Sequence, residues 1–123
     1  MIKPLASIGI ALIALFAPAA LLAQGSADQR FATLVADHWE WYAREVPENS
    51  TLRGDNRYND RLTDQSPAAV QARKSYWIEL LSRLRSFDPA QLTLQNRVSF
   101  QVLTTLATTR TRIDGFFPNA PYG

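Results

Sequence analysis

Three proline positions divide this chain and set the kind of fold open to it. Pro47, the Ser66-Pro67 pair and the Asp88-Pro89 pair interrupt stretches in which apolar residues recur every three or four positions. Proline lacks the N–H that a helix interior needs and biases the residue before it away from helical geometry. A helix-period pattern broken in this way predicts separate amphipathic helices. The expected architecture is all-α, a three-helix bundle-like region with helices at about 27–46, 67–86 and 94–113.

The first stripe runs Phe31, Leu34, Val35, His38, Trp39, Tyr42 and Val46, opened by Ser26 and Gln29 in capping-box spacing. Residues 48–65 are polar, lack helical periodicity and read as a long connector with room for one short turn. Ser66 is then an N-cap, with Pro67 at the first helical position, where its missing N–H does no harm. Val70, Lys74, Trp77, Ile78, Leu81 and Leu84 form the second stripe, and Thr93 is placed to cap the third helix.

That third helix is apolar on two sides. Val98, Val102, Leu106 and Ile113 share one face; Phe100, Leu103 and Ala107 share a nearly opposite one. A surface helix of a small bundle needs a single apolar stripe, so a second one calls for a further partner. We expect the interaction face to comprise Phe100 and Leu103 with Phe116 and Phe117 of an irregular aromatic and proline-containing tail, 115–123. The alternative is that this tail folds back and covers the second face itself.

Residues 1–23 have a different composition. Lys3 is the only charge before Asp28, and an apolar run over 5–16 leads to Pro18 and the small-residue stretch Ala19-Ala20-Leu21-Leu22-Ala23. This order is that of a secretory signal peptide, with cleavage expected between Ala23 and Gln24. Pro18 is expected to break the leader helix ahead of that site, so that the peptidase meets an extended chain. The mature part, 24–123, would then be exported to the periplasm or beyond, with no membrane attachment after cleavage. An uncleaved anchor is the alternative.

Composition removes several chemistries. The 123 residues carry one histidine and no cysteine, which excludes disulfides, thiolate metal sites and a cysteine nucleophile. A single imidazole cannot build a multi-histidine metal centre. A net charge of +2 gives little attraction for a nucleic acid, and none is expected as a partner. His38 lies on the apolar stripe between Leu34 and Tyr42 and reads as a partly buried histidine bonded to Tyr42 or to a backbone carbonyl. Trp41, at the stripe's edge, is the best candidate for an exposed ring. Arg53, Arg57 and Arg61 recur every fourth residue; they form either an anion-binding stripe or a solvated face neutralised by Asp55, Asp60 and Asp64. Arg53-Gly54-Asp55 spells an adhesion tripeptide and Asn49-Ser50-Thr51 a glycosylation sequon, both short enough to arise by chance. We assign no catalytic and no metal-binding residue.

Several short motifs, in order, resemble one bacterial family. They are Phe31-Ala32-Thr33-Leu34 leading to Trp39-Glu40-Trp41, the connector Gly54-Asp55-Asn56-Arg57-Tyr58-Asn59-Asp60-Arg61-Leu62, Ser66-Pro67, Ala72-Arg73, and Leu84-Arg85-Ser86-Phe87-Asp88-Pro89. Over 31–102 the chain is similar to the N-terminal part of the family called domain of unknown function 885. The resemblance implies a secreted, helical, zinc-metallopeptidase-like hydrolase when full length, whose site is a His-Glu segment followed by Pro-Gly-His. This sequence holds no such segment, so no zinc or other cofactor is expected in it. The expectation is an exported N-terminal fragment, inactive alone, whose partner is the missing C-terminal catalytic region. The alternative is a stand-alone periplasmic three-helix module that binds another protein.

Overall fold

The structure, a computed structural model, describes residues 18–116, with side chains described over 27–114. It is all-α: α1 (Pro18–Glu45), α2 (Pro47–Leu52), α3 (Pro67–Arg85), a 3-10 turn (Pro89–Gln91) and α4 (Leu94–Phe116), with no strand among the described residues.

Each proline acts as its chemistry requires. Pro47 is the first residue of α2, so Val46 alone separates α2 from α1, with φ −133° and ψ 65°. The Val46 N–H still reaches back to Tyr42 O at 2.9 Å, which makes the junction a kink and not a loop. Pro67 opens α3 behind Ser66, whose Oγ accepts from the Ala69 N–H at 3.3 Å. Asp88 caps the 3-10 turn, its Oδ1 accepting from the Ala90 N–H at 2.9 Å. Helix α2, the short turn within the connector, closes in a Schellman arrangement: Gly54 N–H donates to Thr51 O and Asp55 N–H to Ser50 O, each at 2.9 Å. This motif needs a left-handed residue, and Gly54 supplies it at φ +89°.

Helix α4 is tied to α1 at its start. Thr93 Oγ1 accepts from the Asn96 N–H, as an N-cap should, and one carboxylate oxygen of Asp28 gathers three donors around it. These are the Thr93 N–H at 3.0 Å, the Thr93 hydroxyl at 3.2 Å and the Asn96 amide at 2.8 Å. The hydrogen bonds hold the Asp28 carboxyl below its ordinary pKa, the Asn96 amide contributing most.

The core joins Ala27, Phe31 and Leu34 of α1, Trp77, Leu80, Leu81 and Leu84 of α3, Leu92, and Leu103 and Ala107 of α4. Helices α3 and α4 make the most extensive backbone approach, whereas α1 meets α3 chiefly through large rings. Helix α3 packs against α4 along its length and against α1 through its rings, so its buried arc is wider than one stripe. Arg73 and Leu80 are buried with Lys74, Trp77, Leu81 and Leu84, while Ile78, placed on the stripe by spacing, is exposed.

Three expectations are corrected. Helix α1 does not begin at Ser26 but runs unbroken from Pro18, which stands at its first position, where proline is compatible with a helix. Ala23 and Gln24 therefore lie within helical backbone and not on an extended stretch. At the other end α4 continues through Gly115 and Phe116, so the irregular tail does not start at 115. The leader over 1–17, and Phe117 with the remaining tail, lie outside the described residues.

Candidate interaction site

The side chains that hold α1 against α3 also shape the surface beside them. His38 is 3% exposed, and its Nδ1 shares a 2.9 Å hydrogen bond with the Tyr76 hydroxyl. The expected partner, Tyr42, contacts it only ring to ring at 6.3 Å. The Tyr76 ring is near parallel to both His38 and Trp41, stacking on Trp41 at 3.4 Å between ring centres and 9° between planes. Trp41 is thus engaged in the helix interface, and Trp39 is the ring left in solvent, 50% exposed. Burial lowers the His38 pKa from 6.5 to about 4, so the imidazole is neutral at physiological pH. Burial also raises the Tyr76 hydroxyl to about 12. Among the described residues no carboxylate is bonded to His38, and its contacts are ring packing and the bond to Tyr76.

His38 borders an apolar groove between α1 and α4. Val35, His38 and Trp39, spaced three and four apart, line one wall; Val98, Val102, Leu103 and Leu106 line the other, enclosing about 300 Å³. Three of these side chains stand well out of the core: Val98 is 54%, Val102 64% and Leu106 40% exposed. Ile113 continues the same face and is also exposed. Aliphatic side chains repeated along a helix beside an exposed indole make a contiguous apolar surface, a feature associated with protein contacts.

Of the interaction face expected from the sequence, Phe100 and Leu103 lie on the inner face of α4. Leu103 is buried, and Phe100 packs on the core with its ring 6.0 Å from that of Phe31. The small residue Ala107, fully buried on the same side, belongs to that inward stripe. Val98, Val102, Leu106 and Ile113 therefore take the outer position. Phe116 ends α4, and Phe117 lies outside the described residues.

The connector is stitched to α1 through charge. Asp55 accepts from Arg57 at its backbone N–H (3.2 Å), Nε (3.0 Å) and Nη2 (2.8 Å). Arg57 Nη2 also pairs with Glu40 Oε2 at 3.0 Å, and Tyr58 donates its hydroxyl proton to Glu40 Oε1 at 2.6 Å. Arg57 and Arg61 both lie over the Tyr58 ring at 5.3 Å, Arg61 leaning on Asp60 at 3.5 Å, and Arg53 covers Trp39 at 5.0 Å. Hydrogen bonds from Tyr58 and Arg57 hold the Glu40 carboxyl below its ordinary pKa, and Arg57 does the same for Asp55. The three arginines do not form an anion-binding stripe. Asp55 and Asp60 neutralise Arg57 and Arg61, as the solvated-face alternative has it, while Asp64 instead accepts from the Ser66 N–H at 2.8 Å. In the adhesion tripeptide, the aspartate is bound to Arg57. In the sequon, the Asn49 amide donates to the Tyr42 hydroxyl at 2.8 Å.

Among the described residues, no three histidine, aspartate or glutamate side chains converge to hold a metal ion, and no helix is long and apolar enough to cross a membrane. The donor set among the described residues does not fit a catalytic zinc. Comparisons of the chain with models of known families, with curated proteins and with solved structures each return no match. The resemblance in the connector and its flanks therefore stands on motif order alone.

Sequence reasoning missed the Tyr76 hydroxyl as the histidine's partner, the role of Asp28 at the start of α4, and Glu40 as the anchor of the connector. The signal for Tyr76 was its place beside Trp77. Asp28 and Glu40 carried none, because their partners lie 65 and 18 residues away.

Proposed function

We propose that this chain is the N-terminal helical region of a larger exported, metallopeptidase-like helical protein, with no catalytic ligands of its own. Its α1–α4 groove is covered in that protein by an apolar helix from beyond the described residues. The observation that carries this reading is the outer face of α4, where Val98, Val102, Leu106 and Ile113 stand exposed beside Trp39. Burying aliphatic side chains of this size contributes roughly 1.5–3 kcal/mol each when complete, so the face is a strong site for a packed helix. The motif order over 31–102 supports the same parentage, and the leader over 1–23 supports export. The test is the genomic sequence beyond the Gly123 codon, read in all three frames. A long helical coding stretch with a His-Glu and Pro-Gly-His segment is expected; a stop followed by an unrelated gene would contradict it. Peptide hydrolysis by this chain with added zinc, abolished by a chelator, would contradict the absence of catalytic ligands.

A second reading is favoured by the self-contained capping of the bundle, in which Asp28 closes the start of α4 and the core joins all three long helices. In that reading the chain is a stand-alone periplasmic module, and the same groove takes a helix of a separate protein. The two readings share the surface and differ in where the covering helix is encoded.

A further inference from the structure

Apart from the apolar groove, α1, α2, the connector, α3 and α4 meet around a small cavity of about 60 Å³. Its walls include Trp41, Tyr42, Asn49, Arg73, Trp77 and Arg110. The lining is rich in hydrogen-bond donors. Arg73 and Arg110 bring two guanidinium groups, which donate and cannot accept. Trp77 is 2% exposed, and its indole N–H is buried without an acceptor. Buried donors are almost always paired, so an indole N–H left without an acceptor beside a cavity marks a place for an acceptor atom. The Asn49 amide spends one N–H on the Tyr42 hydroxyl, which leaves that hydroxyl's own proton to donate. On the acidic side, Glu45 Oε2 lies 3.6 Å from Arg73 Nη1, and the Asp64 carbonyl accepts from Arg73 Nη2 at 2.7 Å. These contacts fix the Arg73 side chain, which is 1% exposed, at the cavity wall. The inference rests on the indole N–H and on two guanidinium groups lining one cavity.

We infer that this cavity is a binding site for a small oxyanion, of carboxylate or phosphate geometry. Planar guanidinium forks match either group with paired N–H donors, and the Trp41 and Trp77 rings exclude water and strengthen the attraction. The volume admits one such group and little attached to it. The site is separate from the α1–α4 groove and does not depend on the parentage proposed above.

The test is titration of the full chain with sodium phosphate and, separately, sodium acetate, each at constant ionic strength balanced with sodium chloride. Tryptophan fluorescence and calorimetry report binding. Saturable binding of at least one of the two anions is expected, the arm that saturates identifying the geometry. Arg110→Gln should weaken it at least tenfold. Trp77→Phe, which keeps a ring and removes the N–H, should weaken it several-fold, with thermal melts confirming that each variant is folded. Absence of saturation with both anions would overturn the inference. So would wild-type affinity retained in a folded Arg110→Gln protein.

Discussion

The Nδ1 atom of His38 and the hydroxyl oxygen of Tyr76 lie 2.9 Å apart, and this bond joins α1 to α3 across the bundle. It is made inside a cage of Trp39, Trp41, Tyr42 and Trp77 rings, where a charged imidazole would be poorly solvated.

Stability should therefore depend on pH in a window set by this ring. His38 titrates near 6.5 in the unfolded chain and at about 4 in the fold, so the unfolded state binds the extra proton between those values. Stability should fall as pH drops from about 6.5 to about 4 and show no further loss from this group below that. The loss is on the order of 2 kcal/mol, less than the full shift would give because the ring borders an open groove. Urea denaturation at pH 7, 5.5 and 4.5 measures it, and His38→Gln should flatten the slope. Glu40 and Asp55, held below their ordinary values, act lower in the range, contributing above it and fading as pH falls through their folded pKa values. Tyr76, raised to about 12, should cost stability only as pH climbs from about 10 through 12.

The two faces of α4 should respond in opposite ways to truncation. Leu103→Ala removes a buried side chain from the cluster with Phe31 and Trp77 and is expected to cost about 2–5 kcal/mol. Val102→Ala, one position earlier and 64% exposed, should stay within about 0.5 kcal/mol. Chemical denaturation of the two variants checks the assignment of the inner and outer faces; the reverse order would mean that α4 is turned the other way.

That assignment marks the limit of what the residue pattern discloses. The helices were legible because Pro47, Pro67 and Pro89 act locally, through a missing N–H and a restricted φ. His38 was legible as at least partly buried because its neighbours at three- and four-residue spacing are apolar. Which stripe of α4 faces inward was not legible: Phe100-Leu103-Ala107 and Val98-Val102-Leu106 are both sound apolar stripes. The choice between them is made by Phe31 and the α3 leucines, which are remote in the chain. The start of α1 was misplaced for a related reason. Ser26 and Gln29 fit a capping box, but Pro18, eight residues earlier, is equally fit to begin a helix. The connector showed its composition and concealed its purpose, since Glu40, which receives both Arg57 and Tyr58, lies on a helix face that spacing marks only as polar.

The connector should loosen without unfolding the bundle when its anchor is removed. Glu40→Gln takes away the charge that Arg57 pairs with, and Tyr58→Phe removes the other hydrogen bond. Amide exchange over 53–64 should accelerate in both, while protection within α3 and α4 stays at the wild-type level. Gly54→Ala should act on the same segment through the backbone. At φ +89° an added Cβ meets no atom within 4 Å, so the penalty is the left-handed strain alone, about 1–2 kcal/mol.

The central claim is that the outer face of α4, with Trp39, is a surface awaiting an apolar partner, and sedimentation equilibrium of residues 24–123 over a wide concentration range tests it most directly. The wild type should associate with itself as concentration rises, and Val102→Glu should remain monomeric with an unchanged melting transition. A wild type that stays strictly monomeric and melts cooperatively, or association that survives the glutamate, would contradict it.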